Sequence, residues 1–298
     1  MPIFPSQMAT RTNWKAVFFM VLSTMAFAIM NLLVKYLEDI PAYQLVFFRS
    51  IVSLVICIGY LRYRGINPLG NQRKALMARG LVGTISMTLF FLSIKYIPLG
   101  SAVSIRYLSP IFAVFMAILF LGERVRKLQW LFYAIAFSGL VILKGFEVQV
   151  NNVGFMMAVG AAFFSGMVYV IVRKIGARDH PVVVVGYFMF FATIIGGLLS
   201  ITVWQTPTDI ELAVLASLGF FGFVGQLFMT KALQLEDASK ITPMKYLEAV
   251  FVLIIGFIWL GETYSLLGFV GIVLIIAGMT LNVIVKKKVH QPKRTLAN

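Results

Sequence analysis

Apolar residues along this chain are gathered in ten long runs, each separated from the next by a short polar or charged stretch. A helix needs about 20 apolar residues to cross a bilayer core that is about 30 Å thick. The runs approach or reach that length, so the pattern predicts an all-α integral membrane protein with ten transmembrane helices. The predicted spans are residues 14–34, 43–61, 78–94, 99–121, 128–143, 153–172, 183–204, 212–233, 238–260 and 266–285.

The sequence also contains an internal duplication. Motifs of the first half recur in the second half at one constant shift of the numbering, which indicates duplication rather than chance similarity. The recurring positions include Leu121-Gly122-Glu123 with Leu260-Gly261-Glu262, Arg106-Tyr107-Leu108 with Lys245-Tyr246-Leu247, and Asn13 with Asn152. Each copy holds five spans, and an odd number of crossings inserts the second copy upside down. We expect a five-helix repeat at residues 14–144 and a second, inverted one at residues 153–285.

Composition and charge change the picture in one respect, the orientation. The chain is 60% hydrophobic and 12% charged, too apolar for a soluble globule of 298 residues. In a soluble protein, a net charge of +15 would suggest that the partner is nucleic acid. If successive helices cross the membrane in alternating directions, however, most Lys and Arg residues, Arg79 included, fall on the same side of it. The positive-inside rule makes that side the cytoplasm. We expect a multi-pass protein of the cell membrane, an inner membrane, with a cytoplasmic segment at 1–13. The basic cytoplasmic tail at 286–298 would contact anionic lipid headgroups, and nucleic acid is not a required partner.

Charged residues inside the spans are the strongest candidates for function, because a charge at membrane depth is costly unless it is paired or hydrated. Arg49 and Arg106 are expected to attract a carboxylate or phosphate of the substrate from a water-filled cavity. Lys245 and Glu248 share one helical face and would form an ion pair that loosens when substrate or a proton arrives. The alternative is structural: Arg49 snorkels outward, and Lys245 only neutralises Glu248.

Uncharged polar residues in the spans are the second group of candidates. Such side chains either line a wet cavity or bridge helices. The candidates for lining the cavity are Asn31, Tyr107, Tyr169, Gln226 and Tyr246. The repeated Leu-Gly-Glu motif has a structural interpretation instead: Gly122 and Gly261 would end helices, and Glu123 and Glu262 would lie at the positive start of the next helix.

Several of these motifs resemble the repeat unit of EamA-type transporters in the drug/metabolite transporter superfamily. They are Phe48-Arg49, Ala102 to Pro110, Leu121-Gly122-Glu123, Gln129-Trp130 and Ser138-Gly139, with Leu247-Glu248, Leu260-Gly261-Glu262 and Ala277-Gly278 in the second copy. The resemblance implies a ten-helix basket in which helices 1–4 and 6–9 surround a central cavity, and alternating access without ATP hydrolysis. The chain departs from the pattern at Ala249, where the first copy has Pro110; Pro243 lies earlier, which leaves the position of the kink open.

The function expected is that of a secondary transporter for an amino acid or another small zwitterionic or anionic metabolite, with no cofactor and no enzymatic activity. His180 and His290 are too few and lie outside the spans, so no metal cluster or histidine-based triad is available there. Protons or a counter-substrate are candidate coupling partners, and the sequence does not decide between import and export. A membrane receptor or scaffold that does not transport is the alternative.

Overall fold

A computed structural model describes residues 13–37, 39–94, 96–97, 102, 105–123, 125–144, 151–260 and 266–284. Within these ranges the chain is helical and contains no strand. Ten of the helices in this part have 13 residues or more. They are α1 (Trp14–Lys35), α2 (Ala42–Tyr63), α3 (Arg73–Ile94), α4 (Ser109–Leu121), α5 (Lys127–Lys144), α6 (Asn152–Ile175), α7 (Pro181–Ser200), α8 (Asp209–Leu235), α9 (Leu247–Leu260) and α10 (Leu266–Ile284).

Helix starts and ends follow local capping chemistry. The Asn13 side chain accepts hydrogen bonds from the first free backbone N–H groups of α1, and Asn151 does the same for α6. The structural counterpart of Asn13 is therefore Asn151, one residue earlier than the repeat alignment gives. Gly122 ends α4 with φ +64°, a left-handed conformation that suits glycine, as predicted. Its repeat mate Gly261 lies outside the described residues.

The packing of the helices mixes the two halves of the chain. Helix α1 packs against α8, α2 against α7, α3 against α6, and α5 against α10. The helices of the first half, α1 to α5, correspond in order to those of the second half, α6 to α10. If each helix is replaced by its counterpart, the same set of pairs is obtained. The contacts of α3 with α7 and of α2 with α8 are exchanged in the same way, as are those of α4 with α6 and of α1 with α9. The fold is thus built from contacts between halves.

Glycines allow the closest of these contacts. A Cβ atom added to Gly139 of α5 would lie 2.7 Å from the carbonyl oxygen of Gly271 in α10, and one on Gly278 would lie 2.7 Å from the backbone nitrogen of Ala136. On α8, Gly219 faces Val52 and Gly225 faces Phe27 at similarly short range. Absence of a side chain therefore permits close backbone approach, as at helix interfaces within membranes.

Six helical segments have the length and apolar composition needed to cross a membrane. They are Trp14–Val34, Ala42–Tyr63, Arg73–Ile94, Asn152–Arg178, Pro181–Val203 and Asp209–Leu235. Ser109–Leu121 is apolar but shorter, so the predicted fourth span, 99–121, is a continuous helix only in its second part. The remaining predicted spans correspond to α5, α9 and α10.

The predicted ninth span, 238–260, is not one helix. A single turn, Ala238–Ile241, is followed by a 3-10 segment, Thr242–Tyr246, and only then by α9. Pro243 lies in the first turn of the 3-10 segment, and a proline cannot donate the backbone hydrogen bond that a continuous α-helix requires. The interruption therefore lies at Pro243 and just after it, not at the position of Ala249.

Candidate functional site

A central cavity lies between the halves. The space there that no protein atom occupies is about 950 Å³, a volume that includes adjoining open solvent. Side chains from α1, α2, α3, α4, α6, α7, α8 and α9 line it, together with residues just before α4 and α9. No residue of α5 or α10 that the structure describes lines it. This is the arrangement that the family resemblance implies.

Most of the predicted site residues meet at this cavity. Eight of the nine line it: Asn31, Arg49, Arg106, Tyr107, Tyr169, Gln226, Lys245 and Glu248. The ninth, Tyr246, does not. Its ring is buried behind the wall, edge-on to Tyr107 with 6.1 Å between ring centroids. The 3-10 geometry before α9 turns neighbouring side chains in different directions, which the repeat alignment cannot reveal.

Glu248 is the centre of the charged group. Its Oε1 atom accepts hydrogen bonds from Asn31 Nδ2 at 2.7 Å and from Arg106 Nη2 at 3.2 Å. Its Oε2 atom accepts one from Lys245 Nζ at 2.5 Å. Although the carboxylate is fully buried, it is fully partnered, which is the condition for keeping a charge at such depth. One anion thus joins α1, the segment before α4 and the start of α9.

Aromatic rings hold the two cations that bind Glu248. The guanidinium carbon of Arg106 lies 4.1 Å from the centroid of the Phe90 ring, and Lys245 Nζ lies 4.1 Å from that of Phe27. A ring face attracts a cation and adds to its stabilisation where water is scarce. The Arg106 side chain remains 22% exposed, so one member of the group stays accessible from the cavity.

Arg49 is buried in α2 and has no carboxylate partner among the described residues. Its Nη1 atom lies 2.8 Å from the sulfur of Met87, a weak acceptor, and its Nε atom has no hydrogen-bond partner. Gly222 of α8 makes room for the group, since a Cβ there would lie 2.9 Å from Arg49 Nε. Only 5% of Arg49 is exposed, so it does not snorkel to the surface, contrary to the structural alternative.

Arg79 is a cavity residue that the sequence did not identify. The charge pattern assigned it to the basic stretch between the second and third spans, but α3 begins at Arg73 and encloses it. Its Nη2 atom donates to Gln226 Oε1 at 3.0 Å, and its guanidinium lies 4.5 Å from the centroid of the Phe188 ring. The Nε and Nη1 atoms are buried without a partner. In the sequence, only the apolar run that follows Arg79 indicates that this residue lies within a membrane-spanning helix.

Smaller polar groups complete the cavity wall. The hydroxyls of Ser86 and Ser165 lie 2.7 Å apart and link α3 to α6. Tyr107 contributes a buried hydroxyl without a hydrogen-bond partner, and Tyr169 lines the cavity from α6. Serines are common in apolar helices, so neither serine stood out in the sequence.

Polar contacts tie the helices together at the end of the bundle where α1 begins, called here the amino-terminal end. The Asp179 carboxylate accepts from the backbone nitrogens of Asn71 and Gln72, at 2.5 and 3.1 Å, and its carbonyl accepts from Gln234 Nε2 at 3.0 Å. The loop between α2 and α3 is thereby bound to the loop between α6 and α7 and to the end of α8.

A second set of contacts at the same end involves the segment after α8. Glu236 accepts from the backbone nitrogen of Asn13, and Arg173 donates to Asp237 at 2.8 Å. Glu123 accepts from the backbone nitrogens of Ala238 and Ser239 at 2.9 and 2.8 Å. Glu123 therefore caps a helical turn, as predicted, but one in the other half rather than the next helix; Glu262 lies outside the described residues.

Comparison with known proteins matches both halves of the chain. The model of the EamA-like transporter family matches residues 14–144 and again residues 152–284. One solved crystal structure superposes with a TM-score of 0.79 over 90% of this chain and 96% of that one, at 19% identity, which is a likeness of fold alone.

Relatives identified by sequence are transporters rather than enzymes. The pseudopaline exporter of Pseudomonas aeruginosa is 30% identical over 259 residues, 86% of this chain and 91% of that protein. Solute carrier family 35 member G1 of Homo sapiens is 28% identical, over 81% of this chain and 71% of that one. An S-adenosylmethionine uptake transporter of Rickettsia conorii is 26% identical, over 85% of this chain and 87% of that one.

Proposed function

Because the chain belongs to the EamA-like transporter family, whose members here are membrane transporters, we propose that it is a secondary transporter of a small anionic or zwitterionic metabolite that works by alternating access. The observation that carries this proposal is the central cavity, where one buried carboxylate, Glu248, is shared by cations from both halves. A structural ion pair needs only one cation. A shared carboxylate beside an exposed cation can exchange partners with a ligand.

The architecture proposed is ten membrane spans in two inverted five-helix repeats, at residues 14–144 and 153–285. Six helices of spanning length, the double match to the family model and the exchange symmetry of the helix contacts support it. With five crossings in the first repeat, the second enters from the other side. The positive-inside rule then puts both termini in the cytoplasm, and the amino-terminal end of the bundle faces that side.

Alternating access requires that the two ends of the cavity open in turn. We propose that the contacts of Asp179, Glu236, Asp237 and Glu123 hold the amino-terminal end closed in one of the two states. They join loops and helix ends rather than helix interiors, so they can break without unfolding a helix. The opposite state would then break these contacts and form others at the far end.

Within the cavity, we assign Arg49 and Arg106 to anionic groups of the substrate. A carboxylate that approaches Arg106 competes with Glu248, whose distance from Arg106 Nη2, 3.2 Å, is the longest of its three polar contacts. Protonation of Glu248, or arrival of a counter-substrate, would release Arg106 and Lys245 in the same way. Substrate binding is thereby coupled to a contact between the halves. The relatives include an exporter and an uptake transporter, so we propose no direction of transport.

The test is a transport assay that does not need the substrate to be known in advance. Proteoliposomes are loaded with a deproteinised cell extract, and mass spectrometry follows the metabolites that leave the lumen. We expect selective loss of a small set of anionic or zwitterionic metabolites from vesicles with the wild-type protein. Arg49→Ala should abolish that loss at normal abundance in the membrane, because the cation that attracts the substrate is gone.

The matched control is Arg62→Ala, which removes an exposed arginine from the last turn of α2. It should transport at the wild-type rate. Normal flux through Arg49→Ala would remove Arg49 from the site. Absence of flux for every metabolite, with the protein folded and ligands still bound, would assign the chain to the receptor class instead.

A further inference from the structure

The charges that line the cavity do not balance. Four cations, Arg49, Arg79, Arg106 and Lys245, face it, whereas Glu248 is the only anion among the described residues that line it. Arg106 and Lys245 share Glu248, which leaves one positive charge in that group. Arg49 and Arg79 add two more. Among the described residues, the cavity wall therefore carries an excess of three positive charges.

Arg49 and Arg79 form a separate group, called here the arginine pair. Both side chains are more than nine-tenths buried, at 5% and 1% exposed, and both line the cavity. Between them, three buried guanidinium nitrogens have no hydrogen-bond partner: Nε of Arg49, and Nε and Nη1 of Arg79. Arginine does not lose its proton to escape this cost, and an anion that binds here would remove the cost.

The surroundings of the arginine pair supply neutral contacts only. Met87, Gln226 and the Phe188 ring touch the two guanidinium groups. Gly83 and Gly222 make room for the two guanidinium groups, because a Cβ on Gly83 would overlap Arg79 and one on Gly222 would overlap Arg49. Packing thus accommodates both cations without neutralising them, which is the arrangement of a binding site and not of a structural ion pair.

We propose that the cavity takes a ligand with at least two anionic groups, one on the arginine pair and another at Arg106 and Lys245. This rests on the proposed function and narrows its substrate class. A zwitterion has no net charge and would leave all three excess positive charges unneutralised, and a monoanion would leave two. Carboxylate and phosphate both fit the fork of a guanidinium group, so the shared requirement is for anionic oxygens at both ends of the molecule.

The test is a series of ligands with one shape and different charge. Glutarate has two carboxylates, glutaramate has one carboxylate and one amide, and glutaramide has none. Thermal shift and competition binding on the purified full-length protein, at matched ionic strength, should show that glutarate binds at least roughly tenfold more tightly than glutaramate. Glutaramide should bind more weakly still.

Variants of the arginine pair connect that preference to the residues. In Arg79→Gln and in Arg49→Gln the advantage of glutarate over glutaramate should shrink toward onefold, while Arg49→Lys, which keeps the charge, should retain part of it. Arg62→Gln, on the surface, should keep the full difference. The ligand-free Arg79→Met protein should unfold at the same temperature as wild type or higher, because an unpaired buried charge is removed. A purely structural Arg79 would lower that temperature.

Three results would overturn the proposal. One is equal binding of glutarate and glutaramate, or no binding by any dicarboxylate from succinate to pimelate. Another is stabilisation by chloride alone that equals that by glutarate, which would assign the arginine pair to an inorganic ion. The third is transport of zwitterions at a rate that dicarboxylates do not inhibit, which would leave the transport function standing. Inorganic phosphate, tested beside glutarate, separates the two kinds of anionic group.

Discussion

Replacing Glu248 with glutamine removes the one anion among the described residues that line the cavity, and it keeps the size of the side chain. In the wild type that carboxylate lies 2.5 Å from Lys245 Nζ and 3.2 Å from Arg106 Nη2. The variant leaves both cations without a counter-ion, a change that costs about 3–5 kcal/mol for a buried pair. Because Arg106 is 22% exposed and the amide oxygen still accepts a hydrogen bond, we expect the lower end of that range, about 3 kcal/mol.

The same substitution should strengthen anion binding while it weakens the fold. A negative charge repels an anion about 8 Å away by about 2 kcal/mol at an effective dielectric constant of about 20, and it repels a closer group, bound to Arg106 or Lys245, more strongly. Losing that repulsion corresponds to roughly 30-fold tighter binding of glutarate. Transport should nevertheless fall, since Glu248 can no longer exchange partners with the substrate. Opposite signs for stability and affinity distinguish this variant from one that simply misfolds.

The assays are equilibrium unfolding of the ligand-free protein, competition binding of glutarate and flux from proteoliposomes. Glu211→Gln is the matched control, because Glu211 caps α8 by bonding Thr208 and does not line the cavity. It should leave glutarate binding unchanged. An unchanged stability of Glu248→Gln would show that the carboxylate is not holding two cations. Unchanged or weaker glutarate binding would show that its charge does not compete with the ligand.

Two further predictions concern the closed end and the glycine contacts. Asp179→Ala removes the carboxylate acceptor that joins two loops and should open the amino-terminal end. The reporter is a cysteine in the cavity, Ser165→Cys, in a Cys57→Ser background. An impermeant maleimide added from that side should label it at least roughly tenfold faster. An unchanged labelling rate would argue against this set of contacts as the closure. Gly139→Leu should cost about 1–3 kcal/mol of stability, because the new side chain overlaps the α10 backbone. Gly59→Leu, with open space around it, should cost far less, and equal losses would contradict the packing argument.

The sequence determined the helical class, the duplication and eight of the residues that line the cavity. Runs of apolar residues predict helices because each backbone must satisfy its own hydrogen bonds in lipid. Within such a run, a polar side chain is conspicuous by its cost, so Arg49, Arg106, Lys245 and Glu248 could be selected without coordinates. All four line the cavity in the structure. Their roles toward a ligand remain predictions.

Arg79 shows where this reasoning stops. It lies near the start of an apolar run and close to other basic residues, and its contacts with Phe188 of α7 and Gln226 of α8 bury it. Tyr246 fails for a related reason, because the 3-10 segment after Pro243 turns it away from the cavity that its repeat mate Tyr107 lines. A shift of one helical turn decides whether a side chain lines the cavity or lies behind its wall, and sequence periodicity does not fix the position of that turn.

Tertiary structure alone decided which groups meet. Asn31 and Arg106 share the Glu248 carboxylate although they belong to different parts of the chain, and Glu123 caps a turn of the opposite half. The cost of burying a charge is a property of its own segment, so the sequence records it. The choice of partner depends on how distant helices pack, which no local pattern contains. The same holds for the lack of a carboxylate partner for Arg49 and Arg79 among the described residues.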